Sequence, residues 1–293
     1  MSLYSIHNLR FKAQIDPFGA ELRSLKNNKG TEYLWSADPQ YWARVSPVLF
    51  PFVGKTNGLC YRTGGQEFPM TPHGFARDRE FSLLHQEADE IWFVLEADDA
   101  TRAVYPFDFR LELGYRLTSE GLEVLWKVMN PAANDLYFAI GGHPAFLCPP
   151  SGNGGHAGCF LHFDTDAPVL RCTPIEEHGL ALPEHVDFPL TGGYLPLTET
   201  LFDHDALVVE NRQCSQVSLC LPNKTPYLAV RFDAPLFGIW SPPGKQAPFV
   251  CIEPWYGRCD SVGFTGDLSE RAWENKLSAH EVFEASYTIL PLK

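Results

Sequence analysis

Titratable side chains sit beside glycine and proline in three short segments, where the backbone turns and side chains can converge. They are Pro72-His-Gly-Phe-Ala-Arg-Asp-Arg-Glu80, Ile140-Gly-Gly-His-Pro-Ala-Phe146 and Phe249-Val-Cys-Ile-Glu-Pro-Trp-Tyr-Gly257. Glu253 lies inside an apolar run, on the same strand face as Cys251, where desolvation disfavours a charged carboxylate and calls for a partner or a raised pKa. Histidine ordinarily titrates near neutrality, and His73 and His143 stand in these segments. A base-grade carboxylate with histidines is sufficient for general acid–base chemistry. Each group also has a plainer reading. The cluster His73–Glu80 reads as a solvated, internally ion-paired loop, His143 as a satisfied structural histidine, and Glu253 as half of a structural ion pair. Gly141-Gly142 predicts close approach of a ligand to the backbone. Trp255 and Tyr256 offer flat faces for stacking, although most such aromatics belong to a core.

Other chemistries find little support. No His-x-x-x-His or Cys-x-x-Cys spacing is present, and His73 and His143 are far apart in sequence, so no metal and no cofactor is expected. Gly-x-Ser-x-Gly elbows, phosphate loops and dinucleotide fingerprints are missing too. Lys+Arg 23 against Asp+Glu 36 gives a net charge of −13, which disfavours nucleic acid and anionic membrane as partners. The start of the chain lacks a signal-peptide pattern, and no apolar run reaches the roughly 18 residues of a spanning helix. The 8 cysteines are scattered, several among apolar neighbours. They read as reduced thiols in a cytoplasmic protein.

The elements that must hold these groups are mostly strands. Period-two alternation marks Phe109–Leu117, Leu122–Val128, Val217–Leu221, Leu228–Phe232 and Phe283–Ile289, with Phe11, Ala13 and Ile15 near the start. Thr118-Ser-Glu-Gly121 and Asn27-Asn-Lys-Gly30 carry turn chemistry. Only Ser269–Leu277 predicts a short helix. With 24 Pro and 23 Gly in 293 residues, long helices are excluded and an all-β antiparallel sandwich or barrel is expected, as one domain over residues 1–293.

At these segments the chain resembles the aldose 1-epimerase (galactose mutarotase-like) family, and within it the bacterial branch associated with lactose operons. The resemblance rests on Gly19-Ala-Glu-Leu22, Ser46–Gly54, His73–Phe81, Gly141–Phe146, Leu201–Leu207 and Cys251–Gly257, in order along most of the chain. It implies a large antiparallel β-sandwich of the mutarotase supersandwich type, with few short helices and a sugar cleft. The implied activity is metal-free interconversion of the α and β anomers of an aldose. Glu253 would take the proton of the C1 hydroxyl and His143 would protonate the ring oxygen. His73, Arg77, Lys55, Trp255 and an acidic residue, Asp205 ahead of Asp203, would hold the sugar. Characterised galactose mutarotases carry Gly-Arg-x-x-Asn-Arg where this chain reads Gly54-Lys-Thr-Asn-Gly58. Galactose is therefore not singled out, and the expected partner is a small-molecule hexose or hexose phosphate, with Lys55, Arg77 and Arg79 as phosphate candidates. A monomer or homodimer is expected. A non-catalytic carbohydrate-binding protein using the same cleft is the alternative, and glycoside hydrolysis, which needs two carboxylates, ranks behind it.

Overall fold

The computed structural model describes residues 3–292. Two large antiparallel sheets dominate. In the first, nine strands run in the order Tyr194–Pro196, Phe160–Phe163, Gln216–Cys220, Pro226–Phe232, Val282–Pro291, Leu122–Met129, Arg110–Leu117, Glu90–Glu96, Ser82–Gln86. In the second, Val186–Pro189, Val169–Thr173, Leu207–Glu210, Leu236–Trp240, Phe249–Tyr256, Ile140–Gly142 and Val48–Leu49 follow one another, and Ala145–Leu147 also pairs with Phe249–Tyr256. The alternating segments read from sequence form these strands, with ends shifted by a residue or two. The hairpin Arg110–Leu117/Leu122–Met129 closes as its turn residues require, the Thr118 N–H donating to the Gly121 carbonyl at 2.8 Å.

The sheets face each other across a core in which aromatic rings meet from both sides. Phe163 of the first sheet lies 6.2 Å from Phe237 of the second, and Trp126 meets Tyr256 edge-on at 6.4 Å. Tyr256 is thus a core residue. Arg110–Leu117 and Leu122–Met129 alternate inward and outward, Val124, Trp126 and Val128 packing between the layers.

One segment departs from expectation. Ser269–Leu277 is not a helix. A 3₁₀ turn at Leu268–Glu270 is capped by Asp267 and then stops. Arg271 is drawn into the interior, 2.6 Å from Asp260 and 2.5 Å from Glu274. Trp273 adopts a left-handed φ of 64°, and Asn275–Leu277 pairs with Leu136–Phe138. A buried ion-pair network and a strand partner, neither visible locally, override helix propensity. All eight cysteines are free thiols and only Cys60 escapes burial. Among the described residues no helix is long and apolar enough to cross a membrane.

Tyr4–His7, Phe11–Asp16 and Glu21–Asn27 form a three-stranded antiparallel sheet, and Glu21 ties it to the segment that leads into Val48–Leu49 of the second large one. Its carboxylate accepts the N–H groups of Val45 (2.7 Å) and Ser46 (2.9 Å) and pairs with Arg23 at 2.9 Å. The next residue, Pro47, accepts the His143 N–H at 3.0 Å. Glu21→Ala leaves two buried donors without an acceptor, and such donors are costly. The expected loss is about 2–4 kcal/mol in denaturant unfolding, with a smaller loss for Glu21→Gln, which retains one acceptor oxygen.

Candidate active site

Strand Phe249–Tyr256 is buried along all but its last residue, because both faces are covered. Val250, Ile252 and Tyr256 point into the core between the sheets, and Cys251, Glu253 and Trp255 point the other way. The strand is hydrogen-bonded on both sides. Leu236–Trp240 places Gly238 opposite Glu253 and Trp240 opposite Cys251. On the other edge, Ile140–Gly142 and Ala145–Leu147 pair with Trp255 and Cys251 respectively, leaving His143-Pro144 between them, opposite Glu253. The break between two short strands is what aims the His143 imidazole at the carboxyl group.

His143 Nε2 lies 3.3 Å from Glu253 Oε2, and the side chains are only 9% and 1% exposed. Burial, and secondly the charge of Asp205, raises the Glu253 carboxyl well above the ordinary carboxylate range. Burial followed by the charges of Arg77 and Arg44 pushes His143 down to about 3. Both shifts favour the neutral form of the pair in the ligand-free cleft. The imidazole stacks on Trp42 at 4.7 Å and meets Trp240 edge-on at 5.4 Å. An aromatic face of this kind favours the imidazolium form once a proton is transferred.

His73 completes the histidine pair, its ring 5.7 Å from that of His143. Its backbone is left-handed, with φ 66°, a strained conformation for a residue with a Cβ. Two bonds to Gly54 hold it there. The His73 N–H donates to the Gly54 carbonyl at 2.8 Å, and the Gly54 N–H donates to His73 Nδ1 at 3.2 Å. Burial, then Arg77, keeps this ring neutral, well below the usual histidine range. With Nδ1 accepting, the ring proton is on Nε2, which becomes a hydrogen-bond donor.

Seven of the residues singled out from sequence, Lys55, His73, Arg77, His143, Asp205, Glu253 and Trp255, line one cleft of about 310 Å³. Arg77 is mostly buried, and one guanidinium nitrogen donates to the Pro72 carbonyl at 2.5 Å. Its Nε has no hydrogen-bond partner, and burial beside Arg44 lowers its pKa to about 10. Lys55 lies over Gly179, where a Cβ would come within 3.0 Å of its Nζ. Among the described residues Lys55 makes no ion pair.

Three expectations need correction. Gly141 and Gly142 do not admit a ligand: a Cβ on Gly141 would meet Trp255 at 2.6 Å, and one on Gly142 would meet the Tyr287 hydroxyl at 2.9 Å. Their missing side chains make room for aromatics, as does Gly238, whose Cβ would strike the Trp255 ring at 2.5 Å. Arg79 turns away from the cleft towards Asp98, 3.7 Å distant, and the ring of Phe75. Asp203 does not reach the cleft wall, whereas Asp205 does. Sequence reasoning missed Trp42 and Trp240, the two rings that frame His143. The Trp240–Cys251 register is a long-range pairing with no local signal. The neighbourhood Gln40-Tyr-Trp-Ala-Arg44 offered aromatics but nothing to place them.

The carboxyl holds its proton more tightly in the folded chain than in the unfolded one. Its contribution to stability is therefore complete below the ordinary value of 4.5 and declines as pH rises above it. Glutamine has no charge to lose or gain. The melting temperature of Glu253→Gln should accordingly rise relative to the parent protein as pH increases from about 5 to about 8. Parallel pH dependences of the two proteins would contradict this.

Comparison with known proteins agrees with the geometry. The family model for aldose 1-epimerase matches residues 2–262. The chromosomal protein LacX of Lactococcus lactis is 28% identical, with 97% of each chain aligned. Crystal structures of a galactose mutarotase-like protein from Lactobacillus casei and a galactose mutarotase related enzyme from Lactobacillus acidophilus both superpose with a TM-score of 0.92. The first is 32% identical and covers 99% of both chains. The second is 31% identical and covers 100% of this chain and 98% of its own. A sandwich that presents a buried carboxyl–imidazole pair at the floor of a small cleft, with this match along its length, belongs to the aldose 1-epimerase family.

Proposed function

We propose that the protein interconverts the α and β anomers of an aldose or aldose phosphate by general acid–base ring opening and reclosure. The carrying observation is the 3.3 Å contact between His143 Nε2 and Glu253 Oε2 at the floor of the cleft. Anomer exchange requires a proton to leave the C1 hydroxyl while another reaches the neighbouring ring oxygen. A carboxyl group and an imidazole 3.3 Å apart supply both transfers. A cleft of about 310 Å³ is at the small end of ligand sites, which suits a monosaccharide.

Proton transfer from Glu253 to His143 gives carboxylate and imidazolium at unchanged net charge. The carboxylate then takes the proton of the C1 hydroxyl, and the imidazolium protonates the ring oxygen. The bond between C1 and the ring oxygen breaks, leaving an open-chain aldehyde. Rotation about C1–C2 presents the other face of the carbonyl, and the reverse transfers close the ring and restore both groups. Each positioned transfer is typically worth about 10²–10⁴-fold. His73 Nε2–H and Asp205 hold hydroxyls, and Trp255 presents its face to the sugar. Lys55 makes no ion pair among the described residues and Arg77 only a long one, to Asp78 at 3.9 Å, which suits a phosphate or other anionic substituent.

The test follows freshly dissolved α-D-glucose and α-D-galactose by polarimetry, and their 6-phosphates by NMR. Acceleration of at least one sugar is expected, falling by about 10²-fold or more in Glu253→Gln while sugar binding persists. Binding with no acceleration would establish the carbohydrate-binding reading instead. Release of reducing sugar from a glycoside would favour hydrolysis with Glu253 and Asp205.

A second expectation concerns pH. Loss of activity on the acid side requires a second proton on the pair, and His143 accepts it only towards about 3. The acid limb of kcat/KM should therefore lie well below the ordinary histidine value of 6.5. A midpoint near that ordinary value would contradict the buried neutral imidazole.

A further inference from the structure

Cys251 lies beside the reacting pair but takes no part in the proposed reaction. Its Sγ, a nitrogen of His143 and an oxygen of Glu253 all fall within 4.8 Å of one another, and all three residues are buried. We propose that these three side chains form a binding site for a borderline-soft divalent cation of the zinc class, which inactivates the cleft by occupying its acid–base pair.

The donor set matches that chemistry. Thiolate, imidazole and carboxylate are the three ligand types that zinc takes, with bonds of about 2.3 Å to sulfur and about 2.0–2.2 Å to nitrogen and oxygen. Two ligands at about 2.05 Å on a tetrahedral centre stand about 3.3 Å apart. The His143–Glu253 separation is 3.3 Å. One thiolate, one carboxylate and one neutral imidazole balance a double positive charge, so the occupied site buries no net charge. Binding forms metal–sulfur, metal–nitrogen and metal–oxygen bonds, and the thiol proton and the carboxyl proton leave to solvent. No electrons are transferred.

The three side chains are also held close together by the sheet. Glu253 is 1% exposed, and its Oε2 has no hydrogen-bond partner. Cys251 and Glu253 are fixed two residues apart on one face of a strand hydrogen-bonded on both edges. His143 is pinned by its N–H to the Pro47 carbonyl. His143 and Glu253 line the cleft and Cys251 does not, so a cation held by the three is reached from the His143–Glu253 side, where water or a sugar hydroxyl completes its coordination. Magnesium and calcium prefer all-oxygen ligand sets and do not suit a thiol–imidazole pair. His73 is not a fourth ligand, because Nδ1 is engaged by Gly54 and its ring is turned 76° to that of His143.

Inhibition, but not binding, rests on the epimerase reading, and the experiment separates them. The full chain, Cys251→Ala and Cys251→Ser are titrated with cobalt(II) as a spectroscopic probe, and turnover is followed with zinc or magnesium chloride. Thermal melts confirm that each variant is folded. A thiolate-to-cobalt charge-transfer band is expected in the parent protein and in neither variant. Zinc, but not magnesium, should inhibit the parent protein, reversibly on chelation. The two variants should retain basal turnover and need at least about tenfold more zinc, since even outer-shell changes cost metal sites about 10–100-fold. Cobalt binding without the band, or equal zinc inhibition of the parent and both variants, overturns the proposal. Should the parent protein turn over no sugar, the epimerase reading falls, and the cobalt band alone decides the cation site.

Discussion

Everything in this protein is arranged around a carboxyl group taken out of water. Isolated burial of Glu253 would oppose folding, and the structure keeps it by leaving the proton in place and setting a single basic partner, His143, against it. That pairing constrains the rest. The strand beneath must be central, so that its register is held from both edges. Its partner strand must carry glycine at position 238, because Trp255 fills the space over it. The opposite edge must break at His143-Pro144 so that the imidazole can reach across.

Much of this architecture was legible in the sequence because its signals are local. Leu122–Met129 alternates residue by residue between buried and half-buried positions, and period-two patterning reports that directly. The site segments were legible because they combine titratable residues with turn-forming ones. What could not be read was contact between distant segments. Ser269–Leu277 has helical propensity, but Arg271 is claimed by Asp260 and Glu274 and Asn275–Leu277 by a strand. Gly141 and Gly142 read as room for a ligand, but the space is filled by Trp255 and Tyr287, more than 100 residues away in the chain. Cys251 looked like an apolar filler until its strand was placed beside His143.

The electrostatics of the cleft run against those of the chain. A protein with a net charge of −13 concentrates Arg77 and Lys55 at a small cavity, with Arg44 behind and bound to Asp78 at 2.7 Å. Burial, and after it the charges of Arg77 and Arg44, pushes both histidines towards the neutral form in the ligand-free state. The effect of these charges is local, because screening confines charge–charge interactions to about 8–10 Å at ordinary salt. The acidic surface elsewhere does not cancel it.

The reacting pair and the groups around it are mounted differently. Glu253 stands on a sheet strand and His143 in the break between two strands paired with it, while Lys55, Gly179 and Asp205 hang from the connecting segments 54–56, 176–179 and 203–206. Loops accept substitution and insertion far more readily than a doubly hydrogen-bonded strand. The scaffold therefore separates what is done from what it is done to. On the proposed reaction, substitutions in those three segments alter the contacts of Lys55 and Asp205 while the Glu253–His143 geometry is inherited unchanged from the sheet.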